Sequence, residues 1–190
     1  YAGTDRQFSS YEIYQYVETD FNQLWSTMYS GQAGGGLNGG VLINAAIIMQ
    51  KATDLKSPHY RGVARVLTAL ALGMSTDTWG DIPYSEALRG VDNLSPKYDS
   101  QQSIYAAIQN HLDSAIIDLS ASASNFRPSG DDIIYGGDRS LWIRAAKTLK
   151  ARYWIHQTKM DNTAAGKALA ALAGGISSNG QNMAITFGTN

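Results

Sequence analysis

Tyr1, Phe8, Tyr11, Tyr14 and Tyr16 crowd the first sixteen residues of the chain, with Asp5 and Arg6 among them. Aromatic faces beside charged groups suit sugar rings, whose C–H faces stack while their hydroxyls take hydrogen bonds. Asp5, Arg6, Tyr11 and Tyr14 are therefore the candidate ligand-binding residues. The same tyrosines also suit the packed start of a helix, and their spacing leaves both readings open.

Catalytic chemistry finds less support. A glycosidase needs two carboxyl groups roughly 5–10 Å apart across a cleft. Asp77 and Asp81 flank Trp79, while Asp131 and Asp132 lie near Asp138 in a polar stretch. Asp81, however, sits in a turn where aspartate commonly bonds its own backbone, and Asp131-Asp132 are ordinary loop residues. His59, His111 and His156 are far apart, and none stands four residues from a second ligand; they read as surface or helix-end side chains. Gly34-Gly35-Gly36-Leu37-Asn38-Gly39 matches G-x-G-x-x-G, but a helix precedes it where the dinucleotide fingerprint needs a strand, so it reads as a linker. Gly166-Lys167 is followed by Ala168 rather than Ser or Thr, so there is no phosphate-binding loop. The expectation is no catalytic residue, no metal and no cofactor.

Six segments have the apolar periodicity of helices. Ile13, Val17, Phe21, Leu24 and Met28 form one stripe; a glycine-rich break, Gly31 to Gly40, follows. Leu42, Ala45, Ala46, Met49 and Ala52 mark the second, about Val41 to Leu55. Ser57-Pro58 opens the third, since proline suits a first turn whose N–H has no helical partner. Its stripe is Val63, Val66, Leu67, Leu70 and Met74, and Trp79-Gly80-Asp81-Ile82-Pro83-Tyr84 ends it. Asp99-Ser100 precedes the fourth as an N-cap, with Ile104, Ile108, Leu112, Ile116 and Leu119 inward. After a long loop, Ser120 to Gly137, the fifth runs about Arg139 to Thr158 on Trp142, Ala145, Ala146, Leu149 and Tyr153. Asp161-Asn162 is expected to cap the sixth, whose stripe is Ala165, Ala168, Leu169, Leu172 and Ile176. All four prolines lie outside helix interiors and strand signals are nearly absent before the last residues, so the fold class is all-α.

The last two helices make a unit of about 35 residues, close to the helical hairpin of tetratricopeptide repeats. The third and fourth form a similar pair. One such hairpin cannot bury its own apolar face, so the pairs are expected to stack. With 190 residues and 20.5 kDa, the chain is read as a single helical domain, 1–190. A net charge of -1 and a pI near 6.3, with no local run of Lys or Arg, exclude the electrostatic footprint of a nucleic-acid binder. No apolar run approaches the roughly 20 residues that cross a bilayer. The absence of cysteine excludes disulfides and thiol chemistry. The chain opens on Tyr1 and closes on an alternating Ile185–Asn190, so it is expected to be incomplete at both ends.

Three stretches together resemble the SusD/RagB family of outer-membrane nutrient-binding lipoproteins from Bacteroidetes. The first is Tyr60-Arg61-Gly62-Val63-Ala64-Arg65-Val66-Leu67 running into Trp79-Gly80-Asp81-Ile82-Pro83-Tyr84, similar to the family's long helix and its W-G-D-x-P turn. The second runs from Tyr98-Asp99 through Ile104-Tyr105 to Leu112-Asp113-Ser114-Ala115. The third joins Asp132–Asp138 to a W-x-x-A-x-x-L-x-A-R helix carrying Trp142, Ala145, Leu149, Ala151 and Arg152. The resemblance covers about residues 10–175 and implies the N-terminal part of a SusD-like protein with tetratricopeptide-like pairs. It implies a non-enzymatic surface lipoprotein of the cell outer membrane that binds an oligosaccharide or similar nutrient and passes it to a SusC-like TonB-dependent transporter. The lipid anchor it implies is a cysteine absent from this chain. In the family the segment before the first helix often carries aromatic ligand contacts, which bears on Tyr11 and Tyr14. The alternative is a helical-repeat protein–protein scaffold without sugar binding.

Overall fold

A computed structural model describes residues 18–29 and 39–185. Six α-helices are present among the described residues: α1 Glu18–Tyr29, α2 Val41–Asp54, α3 Pro58–Trp79, α4 Gln101–Leu119, α5 Arg139–Ile155 and α6 Ala164–Leu172. Two short antiparallel strands, β1 Ile82–Pro83 and β2 Tyr98–Asp99, lie between α3 and α4, with Ile82 opposite Asp99 and Pro83 opposite Tyr98. The described residues are all-α apart from this clamp, which is too short for an alternating pattern to reveal.

The helix ends follow local chemistry. Pro58 occupies the first turn of α3, and Gly80 stops it at φ +76°, its N–H donating to Thr76 O. Ser100 caps α4 by accepting from Ser103 N, while Asp138 Oδ1 caps α5 by accepting from the Ser140 and Leu141 amides. The expected Asp161-Asn162 cap of α6 falls differently. Thr163 holds the cap position without a side-chain cap bond, and Asp161 instead folds the preceding turn by accepting from Thr163 N and Oγ1.

Each helix packs on the next, and α3 lies at the centre, touching α1, α2, α4 and α5. The pairs α3–α4 and α5–α6 are the hairpins the sequence indicates. Val66, Leu72, Ile82, Ile104, Ile108, Leu112, Leu119, Trp142 and Tyr153 form the fully buried centre. Because α3 is covered on several sides, its burial exceeds the single stripe expected: Ala64, Thr68, Ala69, Ala71, Leu72, Gly73, Ser75 and Thr76 are buried, whereas Val63, Leu67, Leu70 and Met74 are only half-buried. In α6 the expected stripe is largely wrong. Ala164 and Ala168 face α5, while Leu169 and Leu172 stand 75% and 45% exposed.

Small residues set how closely the neighbours of α3 approach. A Cβ on Gly62 would lie 2.6 Å from Leu119 Cγ, and one on Gly73 would lie 2.1 Å from Tyr153 Cζ and Oη. Both positions are helical, so the glycines serve packing rather than backbone shape. Gly73→Ala should therefore destabilise the fold by about 1–3 kcal/mol through overpacking. Urea unfolding measures this, and an unchanged or increased stability, the outcome of alanine's helix-propensity gain of about 1 kcal/mol alone, would contradict the packing described.

Candidate functional site

The predicted ligand residues Asp5, Arg6, Tyr11 and Tyr14 lie outside the described residues. Phe8 and Tyr16, from the same aromatic segment, lie outside them too. The described chain resumes at α1, which carries Trp25 and Tyr29 into a group of four rings. Trp25 sits edge-on to Trp79 at 5.0 Å and 87°, and 4.7 Å from Tyr29. Trp25 also lies near-parallel to Tyr98, with centroids 6.4 Å apart and planes 18° from parallel. Trp25, Tyr29 and Trp79 are half-buried against the core, while Tyr98 is 63% exposed. The group thus grades from packed tryptophans to a tyrosine open to solvent, an arrangement that can stack a sugar ring. Residue patterning pointed to the N-terminal tyrosines and missed Tyr98; no signal in the sequence relates residue 98 to residue 25.

The Trp79–Tyr84 turn holds this group in place. Tyr29 Oη donates to Pro83 O at 2.9 Å, which ties α1 to β1. Burial, with Tyr98 and Asp99 nearby, pushes the Tyr29 hydroxyl well above the usual phenol range, so it stays a neutral donor. Asp99 accepts from Tyr84 N at 3.1 Å, Ser85 N at 2.6 Å and Ser85 Oγ at 2.8 Å. Burial works against the Asp99 carboxylate, but the Ser85 and Tyr84 donors outweigh it and hold its pKa below the ordinary value. Asp81 does not close its own turn. Its Oδ1 accepts from Gln101 N at 2.8 Å, capping the N-terminus of α4. Segment 84–97, between the strands, is internally ordered: Asn93 Nδ2 donates to Glu86 O, and Lys97 pairs with Glu86 at 3.5 Å.

The remaining carboxylates also have structural partners. Asp77 Oδ1 accepts from Tyr105 Oη at 2.6 Å and lies 3.2 Å from His156 Nδ1. Asp131 accepts from Tyr60 Oη at 2.6 Å. Asp132 accepts from Trp142 Nε1 at 2.6 Å and from the amides of Ile134, Tyr135 and Gly137. Each of these carboxylates is therefore held by hydrogen bonds within the fold. The histidines differ from expectation at two positions. His111 is half-buried in the middle of α4, neither at the surface nor at a helix end. His59 is fully buried, not at the surface, its Nε2 2.9 Å from Arg139 Nη1. Arg139 also donates to Leu119 O and Ala121 O at the end of α4, so it closes that helix and binds α3, α4 and α5 together. Among the described residues no group of three or more His, Cys, Asp or Glu could hold a metal ion, and no helix is long and apolar enough to cross a membrane.

Comparison with known proteins decides the family. The SusD-like family model, described as starch-binding associating with outer membrane, matches residues 1–190. The chain belongs to the SusD-like family. No curated protein matches this SusD-like chain in sequence. Among solved structures, a chitin-binding protein is 29% identical at a TM-score of 0.74, over 90% of this chain and 35% of its own. A SusD/RagB family protein from Bacteroides thetaiotaomicron is 30% identical at a TM-score of 0.65, over 75% of this chain and 30% of its own. A chitin-binding SusD homologue from Flavobacterium johnsoniae is 29% identical at 0.62, over 72% and 29%. The SusD-like chain thus spans about a third of the length of these relatives, and its helical pairs are those of the SusD fold.

Proposed function

We propose that this chain forms part of a SusD-like protein that binds an oligosaccharide at the outer-membrane surface without cleaving it. The protein then delivers the sugar to a SusC-like TonB-dependent transporter. Family membership over residues 1–190 carries the reading, and the chitin-binding relatives favour a glycan as ligand. In this reading Tyr11, Tyr14, Asp5 and Arg6 contact the sugar, and Tyr98 offers a further stacking face beside Trp25. A lipid anchor outside this chain holds the protein at the membrane. The test is calorimetric titration of the intact protein with starch and chitin oligosaccharides, with product analysis on the same samples. Tyr98→Ala, Tyr11→Ala and Tyr14→Ala should each weaken binding about two- to tenfold, the effect of losing roughly 0.5–1.5 kcal/mol of aromatic stacking. Native affinity in all three variants would remove these residues from the site, and cleavage of the sugar would overturn the non-enzymatic role. A second reading, a protein–protein scaffold, is favoured by the bare Leu169–Leu172 face of α6. It predicts partner binding that added sugar leaves unchanged.

A further inference from the structure

Tyr84 joins two parts of the molecule. Its hydroxyl meets His111 Nε2 on α4 at 2.6 Å, and its ring lies edge-on to the imidazole at 6.1 Å. Its backbone N–H meanwhile donates to Asp99, next to Tyr98. Beyond Tyr84 the segment 84–97 holds Val91 and Leu94 out in solvent, with Leu88 half-buried against the core. The Tyr84–His111 contact is thus a direct tether from this segment to the helical body.

That tether depends on the charge of His111. Its Nδ1 is buried and has no hydrogen-bond partner. The neutral ring leaves only that one atom unpaired, whichever tautomer it adopts. The cation carries a proton on both nitrogens, so a charged, buried N–H would have no acceptor whichever way the Tyr84 hydroxyl turned. Arg65 on α3 adds a like charge. Neither Asp118 and Asp113 on the same helix nor Asp99 beside Tyr98 bonds His111: Asp118 pairs with Arg61 and Arg65, Asp113 with Lys150 of α5, and Asp99 accepts from the Tyr84 and Ser85 amides.

We propose that Tyr84 and His111 form an acid-released latch: protonation of His111 undoes their contact, frees residues 84–97 and loosens the Tyr98 edge of the aromatic group. A fall in glycan affinity on release rests on the ligand-binding reading above; the latch itself does not. Burial, then Arg65, pushes His111 from 6.5 down to about 4. A depressed histidine favours the closed state above the open-state value, so the latch holds fully above about pH 6.5 and is lost as pH falls towards 4. Between pH 7 and pH 5 the open population should rise roughly 20-fold.

Amide hydrogen exchange on the intact protein tests this without any ligand. After correction for intrinsic rates, residues 85–97 should exchange roughly 20-fold faster at pH 5 than at pH 7. His111→Gln, whose amide still accepts from Tyr84 but does not titrate, should show no such rise. Tyr84→Phe should already exchange faster than native at pH 7. A flat native profile, an equal rise in His111→Gln, or native protection in Tyr84→Phe would each overturn the latch. Chitin and starch oligosaccharides titrated at both pH values separate the two ideas. Exchange as expected with affinity falling at pH 5 supports both, and exchange as expected with no sugar bound at either pH supports the latch while the ligand reading fails.

Discussion

Trp142→Ala is expected to lower the free energy of unfolding by about 3–5 kcal/mol, a large share of the roughly 5–15 kcal/mol that holds a domain folded. Two losses add. Trp142 is 1% exposed at the centre of the core, so truncation opens a cavity that its rigid helical neighbours cannot close. The indole N–H also vanishes, and Asp132 keeps only its backbone donors. Burial raises the pKa of that carboxylate, but the Trp142 bond and the loop amides outweigh it and hold it below the ordinary range. Tyr135, edge-on to Trp142 at 5.2 Å, loses its partner as well. Trp142→Phe, which keeps most of the ring but not the N–H, should cost about 1–3 kcal/mol. Chemical unfolding of the three proteins measures both numbers, and an alanine variant within 1 kcal/mol of native would refute this account of the core.

Asp118→Ala should be nearly as damaging, at about 3 kcal/mol. The carboxylate sits in the last turn of α4, where the helix dipole disfavours a negative charge. Its compensation comes from α3: Arg61 Nη2 and Nε reach it at 2.6 and 2.9 Å, and Arg65 Nε at 3.0 Å. Its side chain is 7% exposed, while the two arginines are 28% and 26% exposed. Removal leaves two guanidinium groups side by side with no anion between them. Their partial exposure lets water recover some of the loss, which places the expectation at the lower end of the range for a broken buried pair. Glu86→Ala, which breaks the exposed pair with Lys97, is the internal control and should change stability by less than 1 kcal/mol. Equal effects from the two substitutions would show that burial does not govern the strength of these pairs.

The helices were legible because large apolar side chains repeat at helical spacing in α4 and α5, and those stripes, apart from the half-buried Ile116, are the ones buried. Two faces were not legible, for one physical reason. Where helices approach closely, the contact is made by Ala, Gly, Ser and Thr, which carry little hydropathy. On α3 this hid the second packed face, through Ala64, Thr68, Ala71 and Ser75. On α6 it misled most of the assignment: Leu169 and Leu172 dominate the pattern, yet of the expected stripe only Ala168 is buried in this helix, with Ala164 beside it. Asp81 was recognisable as a turn residue, and Asp99 only as part of the Asp99-Ser100 cap of α4. What each one bonds, Gln101 and Ser85 respectively, depends on β1 and β2 pairing, which two-residue strands do not announce. The stacking of Tyr98 on Trp25 has the same origin, since only that pairing brings residue 98 to α1.

The strand clamp has a practical consequence for protein engineering. β1 and β2, with the Asp99 carboxylate across the Tyr84 and Ser85 amides, already bring the two ends of segment 84–97 together. Lengthening a loop whose ends are fixed costs only about 0.6 kcal/mol per doubling. Val91 and Leu94, almost wholly in solvent, mark where extra residues would have room, provided Asn93 between them keeps its bond to Glu86 O. A short peptide tag or a fluorophore-bearing insert between them should leave all six described helices undisturbed. It would place a reporter in the loop that leads into Tyr98 on β2.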